Sequence, residues 1–164
     1  MNAAMGIYSV DKLISEARRI AREYREATGK VLPLTAEIAI NDAIRLLGLE
    51  PAEKGEQGYD ATMQHRDRTL KVQIKGRAVF NEKRAGYRLG QLKPEQPWDA
   101  ILLVIMDKAL EPEEIYLTHR HDILDILEKS RNKKGSVSIT RFKAIGELVW
   151  SAANGKEDDG YWHN

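Results

Sequence analysis

The sequence predicts an α/β fold, a sheet of about four strands flanked by helices, and three observations predict it. Between Gly58 and Arg77 the chain alternates apolar and polar residues at a period of two, which marks strands. Trp98 to Met106 is a run of branched and apolar residues of strand length. Elsewhere apolar residues recur at three- and four-residue spacing, which marks amphipathic helices.

In chain order, Val10, Leu13, Ile14, Ala17, Ile20, Ala21 and Tyr24 predict a first helix over 10–28, with Ser9 as N-cap and Gly29 as its stop. Arg18, Arg19, Arg22 and Arg25 lie opposite that stripe, as a solvated face with i,i+4 partners or as a DNA-facing one. A second helix starts at Thr35 as N-cap, ends at Gly48, and buries Ile40, Ala43, Ile44 and Leu47. A polar linker over 50–58 leads to the hairpin. In its second strand Leu70, Val72 and Ile74 share one face, and Lys71, Gln73 and Lys75 share the other. In its first strand Tyr59, Ala61 and Met63 oppose Asp60, Thr62 and Gln64, so Asp60 falls on the side of Gln73 and Lys75. His65-Arg66-Asp67-Arg68 connects the two strands.

The segment 81–97 is rich in Gly and Pro, and basic in its first part, with Phe80 and Tyr87 interleaved. It reads either as a solvated loop or as a phosphate-contact loop. The run from Trp98 predicts a central strand buried on both faces. Pro112 to Leu117 predicts another strand, and Ile123, Leu124, Ile126 and Leu127 a short helix. The cations Lys129, Arg131, Lys133 and Lys134 suit that helix's C-terminal dipole or a second phosphate patch. Val137 to Ile139 reads as extended. Thr140 caps a last helix with Phe142, Ile145, Leu148 and Val149 inward, stopped at Asn154-Gly155. This organisation gives one domain over 1–154 and a mobile tail over 155–164.

The chain has 164 residues, with 26 basic and 25 acidic side chains. That length suits a single core, and the balance leaves any nucleic-acid affinity to a local patch. There is no cysteine. This excludes disulfides, thiolate zinc sites and cysteine nucleophiles, and it fits a cytoplasmic location. The N-terminal stretch reads as neither a signal peptide nor a membrane span, so no membrane partner is expected.

Asp60, followed about a dozen residues later by Gln73-x-Lys75 on the next strand, resembles the core of the PD-(D/E)XK, or restriction-endonuclease-like, nuclease superfamily in a Gln-x-Lys variant. Gln73 stands where that family most often carries a carboxylate, and no Pro precedes Asp60. Glu37 matches the acidic residue the family often adds from the preceding helix. The stretch 35–130 resembles the family's α-β-β-β-α-β core, which implies a mixed sheet. The resemblance further implies a metal-dependent endonuclease acting on DNA, with Mg2+ or Mn2+ held by Asp60, Glu37, Gln73 and the backbone carbonyl of Ile74. Lys75 would orient the attacking water or stabilise developing charge, and Arg77, Lys83, Arg84 and Arg88 would contact phosphates. A homodimer is a family-based expectation. A nuclease-like domain that binds DNA or a protein partner without catalysis is the alternative, favoured by Gln73. A small α/β interaction domain with no nucleic-acid role is a third reading.

Other constellations are weak. His119 and His121 form a lone His-x-His beside Asp122, which reads as a helix start or surface feature before it reads as zinc. Motifs of zinc proteases, P-loop NTPases, Rossmann enzymes and serine hydrolases are absent from the sequence.

Overall fold

A computed structural model describes residues 3–30, 32, 34–79, 88–129 and 137–157. The helices α1 (Ala3–Thr28) and α2 (Thr35–Leu47) precede the strands β1 (Glu50–Pro51), β2 (Ala61–His65), β3 (Arg68–Ala78), β4 (Ala100–Met106) and β5 (Pro112–His119). The helices α3 (Arg120–Lys129) and α4 (Ile139–Ile145) follow, then β6 (Glu147–Ser151) and β7 (Gly155–Lys156). The fold is α/β, as expected, but the described sheet has seven strands rather than about four, in the order β1-β2-β3-β4-β5-β6-β7. Only β3 and β4 run parallel; every other neighbouring pair is antiparallel.

The central strand behaves as its sequence predicts. Every residue of β4 is buried. Ala100, Leu102, Val104 and Met106 face a cluster shared with Ile38, Ala39, Val72, Ile74 and Leu117. Ile101, Leu103 and Ile105 face a second cluster with Leu89, Trp98, Ile123 and Phe142. The sheet is therefore covered by α2 on one face, and by α3, α4 and the β3–β4 crossover on the other. A parallel pair needs such a crossover.

Gly76 sets the spacing between α2 and the sheet. A Cβ there would meet the Ala39 Cβ at 2.4 Å and the Met106 methyl at 3.0 Å. The expected stripe of α2 is rotated accordingly. Ile38, Ala39, Asp42, Ala43 and Leu47 are buried, while Ile40 and Ile44 are only half-buried. Thr35 is the first helical residue and Leu34 the cap, without a side-chain bond.

The first helix departs further from expectation. It begins before Ser9, so Ser9 is not its cap. Ala21 is buried, but Val10, Leu13, Ile20 and Tyr24 are exposed. The apolar stripe is longer than the surface α2 offers. A cation that the sequence placed on the outer face docks the helix instead. Arg18 Nη2 donates to Asp42 Oδ1 at 2.6 Å and Oδ2 at 2.7 Å, and Arg18 Nε donates to the Leu110 carbonyl at 3.1 Å. Arg19 keeps the predicted solvated role, paired with Glu16 and Glu23.

The C-terminal region is the largest correction. The helix expected from Thr140 to the stop at Asn154-Gly155 ends at Ile145. Its N-cap is Ser138, whose Oγ accepts from the Arg141 N–H at 3.2 Å. A Cβ on Gly146 would stand 2.5 Å from Thr118 Oγ1 and 3.1 Å from the Leu117 carbonyl, so this glycine lets the chain pass close over β5. It then continues as β6, with Tyr116 opposite Leu148 and Leu117 opposite Glu147. Asn154-Gly155 turns the chain rather than ending a helix. Gly155 and Lys156 pair with β6, so the ordered sheet extends past the expected boundary at 154. The rest of the expected tail, 158–164, lies outside the described residues.

Tyr116 gives this region a pH signature. Its hydroxyl donates to Glu114 Oε2 at 3.0 Å. Burial, with Glu114 adding to it, pushes the phenol up to about 12. The folded state therefore holds this proton more tightly than the unfolded chain, and the resulting stabilisation is lost as pH rises through that range. Ultraviolet titration is expected to show one tyrosine ionising near the top of the alkaline range, absent in Tyr116→Phe.

Candidate functional site

Asp60 sits where β2 has not yet begun. Its backbone N–H donates to the Val72 carbonyl at 2.8 Å. Its Oδ2 accepts from the Ile74 N–H at 2.7 Å, replacing the ladder partner that the end of β2 leaves missing. Within a strand the N–H and C=O of one residue point the same way. The Ile74 carbonyl is thus directed to the Asp60 side, beyond the last residue of β2. Burial raises the Asp60 carboxyl above its ordinary value, and the Ile74 N–H and the Lys75 charge pull it back only in part. Burial also lowers the Lys75 ammonium, and the charges of Arg77 and Lys93 add to that, while Asp60 opposes them. Asp60 and Lys75, both half-buried, therefore each respond to the other's charge.

Gln73 lies on the same face of β3. Its Nε2 donates to Gln96 Oε1 at 2.9 Å and to the Gly58 carbonyl at 3.3 Å. The crossover thus folds back onto the start of the hairpin. Tyr59 departs from its expected face: it packs in the second cluster, beneath the Lys71 ammonium at 5.4 Å from the ring centre. Glu37 is not brought to this spot. It is exposed on α2, which packs against the Val72, Ile74 and Gly76 face of β3. The Asp60 carboxyl responds to Ile74 and Lys75, not to Glu37.

The expected phosphate contacts divide. Arg77 is half-buried, and its guanidinium donates to the carbonyls of Gly76, Arg88 and Leu89. It fastens residues 88 and 89 to the end of β3, because carbonyls outside regular helix and strand must find other partners. Arg120 does the same at the other end. It donates to the carbonyls of Pro94, Gln96 and Trp98, and stacks 4.5 Å over the Trp98 ring. Arg88 is exposed and bridges Ser138 through its backbone. Lys83 and Arg84 lie outside the described residues, as do Arg131, Lys133 and Lys134. Lys93, which the sequence reading did not single out as a contact, is exposed close enough to Lys75 to influence its ionisation. Arg77→Ala is expected to lower stability by about 2 kcal/mol, the scale of a charged hydrogen bond to buried carbonyls. Urea unfolding measures this, and any loss of DNA affinity should follow the loss of folded protein.

A second cluster lies at the other end of β2. The hairpin reverses through Arg66 and Asp67, both at positive φ (48° and 64°), the backbone of a two-residue type I′ turn. Its end, Arg68 to Lys71, runs beyond the first β4 residue, because Val72 already pairs with Ala100. The sheet curls, and His65 reaches the end of β5, with its ring 6.0 Å from that of His119. His65, His119 and Glu147 continue the buried alternations of Met63, Leu117 and Val149. His65 Nε2 lies 3.3 Å from Glu147 Oε2, and Arg66 donates to Glu147 Oε1 at 3.1 Å. Burial lowers the His119 imidazole, with neighbouring His65 and His121 adding to it. His121 is exposed beside Asp122 at 3.2 Å, as its sequence position suggested. An open cleft of about 380 Å³ runs past His119, Arg68 and Asp99.

The sequence reading missed this cluster because it ended β5 at Leu117 and placed Glu147 on a helix. The signal that was present is a polar residue at the next core-facing position of a strand. Among the described residues no helix is long and apolar enough to cross a membrane. No protein-family model and no curated protein matches this chain.

Proposed function

We propose that the chain is a metal-dependent nuclease of the restriction-endonuclease-like type, acting on DNA through Asp60, Gln73 and Lys75. The observation that carries the reading is the Asp60 carboxylate held by the Ile74 N–H at the open end of β2, within range of the Lys75 charge. The mixed sheet that the resemblance implies is present, with β3 and β4 as its parallel pair, although its seven strands differ from the expected arrangement of about four.

The donors at this spot are oxygens: the Asp60 carboxylate, the Gln73 amide and the Ile74 carbonyl. They fit Mg2+ or Mn2+, which prefer hard ligands and keep several waters. A bound ion would supply charge relief at phosphorus and a more acidic water. With one carboxylate at hand, affinity for the ion is expected to be weak. The Ile74 N–H fixes one Asp60 oxygen and so orients the other. Lys75, its ammonium lowered by burial, sits where it can position a water or balance the charge that develops on phosphate. Lys93 adds positive charge on the same face, and Arg77 holds the crossover that carries it.

The non-catalytic reading, a domain binding DNA or a protein partner, has its own support. The Gln73 amide nitrogen is committed to Gly58 and Gln96, a structural role that needs no ion. Calorimetric titration with MnCl2 separates the two. Weak binding that disappears in Asp60→Asn is expected for the nuclease, while absence of binding at millimolar ion favours the binding module. The homodimer expected from the family is a matter for sedimentation velocity, with the exposed Val10, Leu13, Ile20 and Tyr24 of α1 as the surface that supports it.

A further inference from the structure

We propose that His65, His119 and Glu147 form a zinc site with three protein ligands, the fourth position being filled by water. It is separate from the Asp60 site: the two lie at opposite ends of β2, roughly 16 Å apart by strand rise.

The first argument is an unanswered buried group. The His65 side chain is 7 % exposed, and its Nε2 has no hydrogen-bond partner although it lies 3.3 Å from Glu147 Oε2. A buried polar nitrogen without a partner is costly. An ion between the imidazole and the carboxylate satisfies it. The second argument is geometry. One atom from each of the three residues lies within 4.8 Å of the others, the one such group among the described residues. Tetrahedral zinc, with bonds of about 2.0–2.1 Å, separates its ligand atoms by about 3.3 Å. The His65–Glu147 distance already has that value, 3.3 Å. The pairs with His119 lie within 4.8 Å, so they need to draw in by no more than about 1.5 Å to reach that spacing.

The third argument is the donor set. Two imidazoles and one carboxylate suit zinc and disfavour magnesium or calcium, which take oxygen ligands. Three protein ligands with one position left to solvent is the arrangement zinc adopts in His2Glu sites. Arg66 holds the other Glu147 oxygen at 3.1 Å, the kind of outer contact that orients a ligating carboxylate. The cleft beside His119 gives solvent access.

The test is titration of the metal-free full chain with zinc chloride, in competition with a chromophoric chelator. The expected result is one zinc per chain, with affinity lowered at least 100-fold in His119→Ala and in Glu147→Gln, and unchanged in His121→Ala and Asp60→Ala. Retained binding in Asp60→Ala keeps this outcome distinct from the fate of the nuclease reading. His65 is buried, so its replacement can disturb the hairpin. The test therefore rests on the two half-buried ligands, with circular dichroism showing that both variants fold. Cobalt(II) is expected to give the intense visible absorption of a tetrahedral site in the wild-type chain. The proposal is overturned if the wild type binds no zinc, if cobalt gives only a six-coordinate spectrum, if His121→Ala or Asp60→Ala loses binding, or if His119→Ala and Glu147→Gln keep it.

Discussion

Lys75→Ala is expected to reduce metal-dependent DNA cleavage by about 10²–10³-fold, the scale of removing one group that stabilises developing charge. The fold should survive. Burial already disfavours the Lys75 ammonium, and the side chain leaves β3 toward the crossover face rather than into the Val72 and Ile74 core. Removing it takes away the positive charge that pulls the Asp60 carboxyl down, so the carboxyl should rise further above its ordinary value. Single-turnover cleavage under saturating Mn2+ measures the effect, with circular dichroism as the folding control. Undiminished cleavage would remove Lys75 from the reaction.

Asp42→Ala is expected to lower stability by about 3 kcal/mol, because it leaves the half-buried Arg18 guanidinium only the Leu110 carbonyl and the more distant, exposed Glu111. Asp42 is 1 % exposed and accepts both short bonds from Arg18 Nη2. Little else fastens α1: Ala21 is its one fully buried apolar residue among the described side chains. The consequence should be local before it is global. Limited proteolysis is expected to cut within α1 in Asp42→Ala at conditions where the wild type resists, and urea unfolding should show a lowered midpoint. Replacing both partners, as in Arg18→Met with Asp42→Leu, should recover much of the loss, since two well-packed apolar side chains leave no charge uncompensated. An unchanged midpoint in Asp42→Ala would mean that the ion pair does not dock the helix.

What the sequence made legible follows from period. The β3 alternation and the uniformly apolar β4 could be read because each strand's burial is written in consecutive residues. Gln73 and Lys75 fall on one face of β3 for the same reason, whereas the alternation fails before β2, where Tyr59 packs on the face expected for Asp60. The strand β6 was hidden because Ile145, Leu148 and Val149 also satisfy helical spacing. Only the close passage of Gly146 over Thr118, a tertiary fact, decides between the two. The charged residues were the hardest to read. Arg18 and Arg77 look like solvated or phosphate-seeking cations, yet each spends its donors inside the protein, as does Arg120, which no pattern singled out. The histidine–glutamate cluster depends on the curl of the sheet, which brings the end of β2 to the ends of β5 and β6. No local pattern in the sequence encodes that curl.

The most direct test of the nuclease reading is cleavage of supercoiled plasmid by the purified chain, with Mg2+ or Mn2+, beside Asp60→Ala. Metal-dependent nicking that disappears in Asp60→Ala is the predicted result. Absence of nicking with either ion, or nicking that Asp60→Ala leaves intact, would contradict it.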